Sequence, residues 1–97
     1  MSQISIIARI KTKPDTLVQA KKEMKKIIEP TVSNDEGCIH YELFQDQEDP
    51  TTFVFLETWK NEGALKKHLE SGHLQAYFKA MEGLTESQTI TRLIKIG

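Results

Sequence analysis

The chain has 97 residues, of which 38% are hydrophobic and 28% charged, with a formal net charge of -1. That length supports one domain with a single modest core and leaves no room for a cofactor domain beside a substrate domain. The charge balance lacks the basic footprint of a nucleic-acid binder, no apolar run approaches the roughly 20 residues of a bilayer span, and Cys38, the lone cysteine, rules out an intrachain disulfide.

At the amino terminus, Arg9 and Lys11 interrupt the sequence before a signal-like apolar stretch develops, so an unprocessed cytoplasmic protein is expected. Gln3 to Thr12 reads as a strand with Ile4, Ile6, Ala8 and Ile10 on one face, while Ile7 joins Ser5, Arg9 and Lys11 on the other. Pro14-Asp15 opens a helix whose buried stripe is Leu17, Ala20, Met24, Ile27 and Ile28. Its lysines, Lys21, Lys22, Lys25 and Lys26, read as a solvated flank diluted by Glu23 and Glu29. Pro30 kinks or ends this helix, and Ser33 to Gly37 is the turn out of it.

Cys38 to Asp46 is the second strand, with Ile39, Tyr41 and Leu43 on one side and His40, Glu42 and Phe44 on the other. Cys38 itself reads as a small core residue rather than a nucleophile. After the polar hairpin loop Gln47 to Thr51, the third strand runs from Thr52 to Trp59. It alternates Phe53, Phe55, Glu57 and Trp59 with Val54, Leu56 and Thr58, a pattern expected of a strand buried on both sides. From Asn61 the period turns helical: Ala64, Leu65, His68 and Leu69 form one stripe, and Leu74, Tyr77, Phe78, Met81 and Leu84 another, with a break at Ser71-Gly72. Ser87 to Ile96 closes the chain as a strand in which Arg92 shares a side with Ile90, Ile94 and Ile96.

Strand, helix, strand, repeated once, predicts an α+β ferredoxin-like domain over residues 1–97, with an antiparallel sheet and helices on one face. Two helical segments cover one face only, yet at least two strands carry apolar residues on both. A monomer would then expose more than the roughly 400 Å² of contiguous apolar surface that a soluble monomer tolerates. A homodimer with its sheets packed face to face is the expected solution.

Glu57-Thr58-Trp59, Ala64-Leu65, His68-Leu69 and Ser71-Gly72-His73 followed by Tyr77 resemble the antibiotic biosynthesis monooxygenase family, in particular its quinol monooxygenase-like members. Pro30-Thr31-Val32 with Glu36-Gly37-Cys38 and Tyr41 extends the likeness across the chain. The resemblance implies a dimeric α/β barrel and oxygenation of a quinol-like or polyphenolic aromatic by molecular oxygen, without metal or flavin. Related members degrade haem or isomerise a phosphorylated sugar. Haem is disfavoured here because the place of the haem-ligating histidine, counted from Trp59, holds Phe78, which cannot bind iron.

Cofactor-free oxygenation requires a flat apolar pocket, a base and exclusion of water. Trp59, Tyr77, Phe78, Phe55 and Phe53 can supply walls. His68 or His73 can take the proton, Glu57 can orient a histidine or act with a raised pKa, and Arg92 can hold the substrate. Structural roles compete throughout: Glu57 paired with Arg92 or a histidine, His68 as a core histidine, His73 as a brace at a turn, and the aromatics as core. His68 and His73, five apart across a helix break, lack the spacing of a helical metal pair. The other readings are an isomerase or degrading enzyme for a small phosphorylated carbonyl compound, using Arg9, Arg92 or Lys60 for phosphate but without a Gly-rich loop, and a non-catalytic dimeric binding protein.

Overall fold

The structure, a computed structural model, describes residues 3–97. Met1 and Ser2, which enter the reading of the amino terminus, lie outside them. The elements are β1 (Ile4–Thr12), a 3-10 turn (Pro14–Thr16), α1 (Leu17–Lys26), α2 (Ile28–Asn34), β2 (Cys38–Gln45), β3 (Thr52–Trp59), α3 (Glu62–Leu69), α4 (Gly72–Met81) and β4 (Thr85–Ile94). The strands lie in the order β2-β3-β1-β4 and every adjacent pair is antiparallel. This is the expected ferredoxin-like α+β fold. No helix among the described residues is long and apolar enough to cross a membrane.

Alternation along β1 and β3 builds the core. Ile4, Ile6, Ala8 and Ile10 are paired in register with Trp59, Glu57, Phe55 and Phe53, and all eight are buried. Over them α1 lays Ala20 and Met24, α3 Leu65 and His68, and α4 Leu74 and Met81. The opposite sheet face has no such cover. Leu56 is 38% exposed and Phe44 48%, so β3 is not buried on both sides within one chain as its sequence suggested. β4, on the sheet edge, is exposed along nearly its whole length.

Several boundaries move for local reasons. The α-helix starts at Leu17 because Pro14–Thr16 forms a 3-10 turn, and the Thr16 hydroxyl donates 2.7 Å to the carbonyl of Leu84, fastening the turn to the start of β4. Pro30 breaks the first helix three residues upstream of itself. Its ring has no N–H and clashes with the carbonyl four residues back, at Lys26, so α1 ends there and Pro30 lies inside α2. The turn expected from Ser33 therefore begins only at Asp35. A register shift between Cys38 and His40 displaces Ile39. Ile39 is 42% exposed and lines a depression on the outer face with His40 and Thr58, rather than sharing the inner face with Tyr41. β4 begins at Thr85 and ends at Ile94, earlier at both ends than expected.

Gly37 carries a close approach. It adopts φ +86°, and a Cβ there would sit 2.5 Å from the Cβ of Ala64 on α3, while its carbonyl accepts 2.8 Å from the backbone N–H of Lys60. Gly83 also has positive φ, at +78°, but open space around it. Urea unfolding should therefore show Gly37→Ala losing about 3 kcal/mol, from left-handed strain plus overlap, and Gly83→Ala only about 1 kcal/mol. Equal losses would mean that the contact with Ala64 relaxes freely.

Candidate active site

Residues two apart on a strand share a face, so Glu57 and Trp59 both point toward the helices. The Trp59 indole donates to Glu57 Oε1 at 2.9 Å in a buried pair. Register puts Tyr41 of β2 beside Glu57 on one flank and Ile6 of β1 on the other. Burial pushes the Glu57 carboxyl up from its ordinary pKa, only partly opposed by the indole. The hydroxyls of Tyr41 and Tyr77 are pushed up as well, chiefly by burial and next by Glu57.

His68 occupies the last turn of α3 and is 2% exposed. Its ring lies over Trp59, centroids 4.5 Å apart at 31°, and meets Tyr41 edge-on at 5.4 Å and 68°. Ser71 shapes the chain beyond it: the side chain caps α4 by accepting from the Leu74 N–H and donates 2.7 Å to the carbonyl of His68. This turn brings His73 round to the same acid as His68. Asp35 Oδ2 stands 2.6 Å from His68 Nδ1 and 2.8 Å from His73 Nε2. Burial makes the His68 imidazole harder to protonate than usual, more than Asp35 makes it easier.

A cavity of about 210 Å³ opens between the helices and the β1–β4 side of the sheet. Apolar side chains such as Ile6, Ala8 and Leu74 form much of its wall, with Phe55, Tyr77 and Phe78 as aromatic panels. Glu57, His68 and Tyr41 are polar members of its lining, and Gln88 and Arg92 come from exposed β4. The small volume suits a flat ligand held partly outside the protomer, since enclosed ligand sites run from about 300 Å³ upward.

Of the residues singled out in the sequence, Glu57, His68, Phe55, Tyr77, Phe78 and Arg92 line this cavity, and Trp59 and His73 do not. Trp59 is fully buried beneath His68, and Phe53, 1% exposed, is core. His73 lies beyond Asp35, beside Glu23, Lys26 and Pro30 in a separate depression. Glu57 pairs with neither a histidine nor Arg92. Its partner is Trp59, two residues on, while Arg92 reaches across to Glu62 at the start of α3, where both side chains are exposed. Arg9 and Lys60 are not part of the lining, so no second cation is available there for a phosphate.

Sequence reasoning missed Asp35, Tyr41, Gln88 and Glu62. Asp35 sat in a stretch read only as a turn, and Glu36, between it and the Gly37-Cys38 strand start, is an equally plausible acid by sequence, so no signal singled Asp35 out. Together Asp35, His68 and His73 are the donor set that could hold a metal among the described residues. A tetrahedral ion with bonds of about 2.0–2.1 Å would keep its ligand atoms roughly 3.3 Å apart. The observed 2.6 and 2.8 Å are shorter hydrogen-bond separations, so a bound ion would have to spread these groups apart.

The lowered pKa of His68 has a sign that can be tested. Its ordinary value is 6.5, so the folded state holds fewer protons than the unfolded one just below that pH. The resulting stability is complete above about pH 6.5 and is lost as pH falls toward the lowered folded value. Glu57, with its pKa raised from 4.5, acts oppositely: its contribution is present below about pH 4.5 and lost as pH rises through the raised value. Relative to wild type, His68→Gln should therefore lose less melting temperature, or gain more, on going from pH 7 to 5.5. An unchanged slope in the variant would remove His68 from the explanation.

The sequence profile of the family described as antibiotic biosynthesis monooxygenase matches residues 3–80. YcnE of Bacillus subtilis (strain 168) is 35% identical over 74 residues, 76% of this chain and 77% of its own length. Probable quinol monooxygenase YgiN of Escherichia coli (strain K12) is 32% identical over 89 residues, covering 82% of this chain and 86% of its own. An uncharacterized protein of Synechocystis, sll1783, is 28% identical over 97% of this chain, which spans only 63% of that protein. Among solved structures, PA3566 from Pseudomonas aeruginosa superposes with a TM-score of 0.94 at 25% identity, covering 100% of this chain and 97% of that one. By the profile match and these relatives, the chain belongs to the antibiotic biosynthesis monooxygenase family.

Proposed function

We propose that the protein is a monooxygenase for a flat, electron-rich phenol or hydroquinone, using molecular oxygen and no metal or flavin. The observation that carries this reading is a histidine difficult to protonate, His68, set into the wall of a mostly apolar, aromatic-panelled cavity. That is the arrangement needed to remove a phenolic proton from a desolvated substrate. The name of YgiN as a probable quinol monooxygenase adds support.

In this mechanism His68 accepts the phenolic proton, and the phenolate gives one electron to oxygen. The radical pair joins at a ring carbon as a peroxide, the O–O bond breaks, one oxygen stays as the new quinone carbonyl and the other leaves as water. Overall, a phenol with a free ring position and one O2 become a quinone and one water, all electrons coming from the substrate. Glu57, whose burial favours the protonated carboxyl, supplies a proton to the departing oxygen. Phe55, Tyr77 and Phe78 hold the ring, and Gln88 and Arg92 meet its polar outer edge. Trp59 and His73 support the site from behind.

The uncovered sheet face supports a homodimer. Ile7, Val54, Leu56, Phe44 and Leu93 lie on strand positions that face away from the helices, and three of them are more than a third exposed: Leu56 38%, Phe44 48% and Leu93 42%. A second copy facing the first covers them.

Oxygen uptake by chelator-treated protein should exceed autoxidation for some member of a panel of hydroquinones and polycyclic phenols. His68→Ala should cut kcat by roughly a hundredfold, within the usual worth of a general base, while Phe78→Ala should mainly raise KM. Uptake no faster than without protein, across the panel, would sink the oxygenase reading for these substrates. Light scattering of the native protein should give twice the chain mass, and Leu56→Lys should shift it to a monomer; a native monomer would overturn the dimer.

A further inference from the structure

We infer that Asp35 is a positioning residue that locks His68 in the Nδ1–H form, so that the bare Nε2 lone pair belongs to the cavity. This rests on the reading of His68 as the base and adds the group that decides which of its nitrogens can act.

The argument begins with Asp35 Oδ2, which lies at hydrogen-bond distance from two ring nitrogens. An ionised carboxylate oxygen can only accept, so both His68 Nδ1 and His73 Nε2 carry protons. Burial opposes a second proton on His68. With its one proton on Nδ1, the ring has Nε2 left as an acceptor, and the ring lines the cavity. A free histidine favours the opposite form, with the proton on Nε2, in which the cavity would meet a donor. Orientation is fixed by the same neighbours. Trp59 lies against one face of the ring, Tyr41 touches it edge-on, and Ser71 holds the His68 carbonyl. His73, outside the cavity, braces Asp35 from its far side. This is the logic by which a buried acid sets the tautomer of a catalytic histidine elsewhere.

The test is nitrogen-15 NMR of the three imidazoles of the 97-residue chain at pH 7.5, with His68 assigned from its loss in His68→Gln. The expected pattern is a neutral His68 protonated on Nδ1, which Asp35→Asn shifts toward the Nε2–H form and His73→Gln leaves in place. In oxygen uptake with an active hydroquinone, Asp35→Asn should lower kcat on the order of a hundredfold with little change in KM. A wild-type His68 protonated on Nε2 would overturn the inference, as would an Asp35→Asn protein with the tautomer unchanged. Should that variant fail to fold, the wild-type and His73→Gln spectra decide. The expected tautomer together with no uptake on any phenol supports the role of Asp35 while removing the oxygenase reading, so the two failures are distinguishable.

Discussion

One carboxylate oxygen ties the turn between α2 and β2 to helices α3 and α4. Asp35 lies between α2 and β2, His68 ends α3 and His73 begins α4, so the paired contacts at 2.6 and 2.8 Å join three separate pieces of chain at one atom. Two residues further on, Gly37 lets the same turn come against Ala64 of α3, where any side chain would intrude. Charge-assisted hydrogen bonds of this kind are shorter and stronger than neutral ones, and burial makes losing one partner expensive. The position of α3 follows from this turn, and with it the position of the His68 ring over Trp59.

The cavity exists because the helix layer is narrower than the sheet. Helices α3 and α4 pack over β3 and β1, whose inner residues are buried, while β4 carries Gln88, Ile90 and Arg92 past the edge of that cover. Aromatic side chains with a stripe of small and branched residues beneath them leave space that neither layer fills. Ala8, in register with Phe55 on one side and Ile90 on the other, is the small residue at the centre of this floor. A larger side chain there would fill the space with packing. The edge strand that appears underused by the monomer is what gives the pocket an open side and a polar rim.

The fold was legible because its signals are periodic. Alternation in β1 and β3, the helical stripe through Met24, and the Ser71-Gly72 break each correspond to an observed element. What was lost was local or two-sided. Pro30 marks a helix break, but its steric conflict falls on Lys26, so the break lies upstream of the residue that causes it. Ile39 was placed by simple alternation, which one extra residue between Cys38 and His40 defeats. In the site, Glu57, His68 and the aromatics stood out because a buried acid or histidine is unusual on an apolar stripe. Asp35 did not, because an acid in a turn looks the same whether it faces water or two histidines. Trp59 and His73 were placed in the right neighbourhood but on the wrong side of His68, a distinction that spacing alone does not carry.

Burial acts on the cavity's titratable groups in opposite directions, and this gives the site a polarity. Each group is pushed toward its uncharged form. For Tyr41, Tyr77 and Glu57 the uncharged form carries a proton, and for His68 it lacks one. Desolvation therefore biases Tyr41, Tyr77 and Glu57 toward keeping a proton and His68 toward lacking one. Enclosure does this without any added charge, while the Trp59 indole donates to Glu57, two residues back along the same strand. A protein of this size has few residues to commit to a site. Here the same apolar packing that stabilises the core also biases the protonation of the side chains that line the cavity.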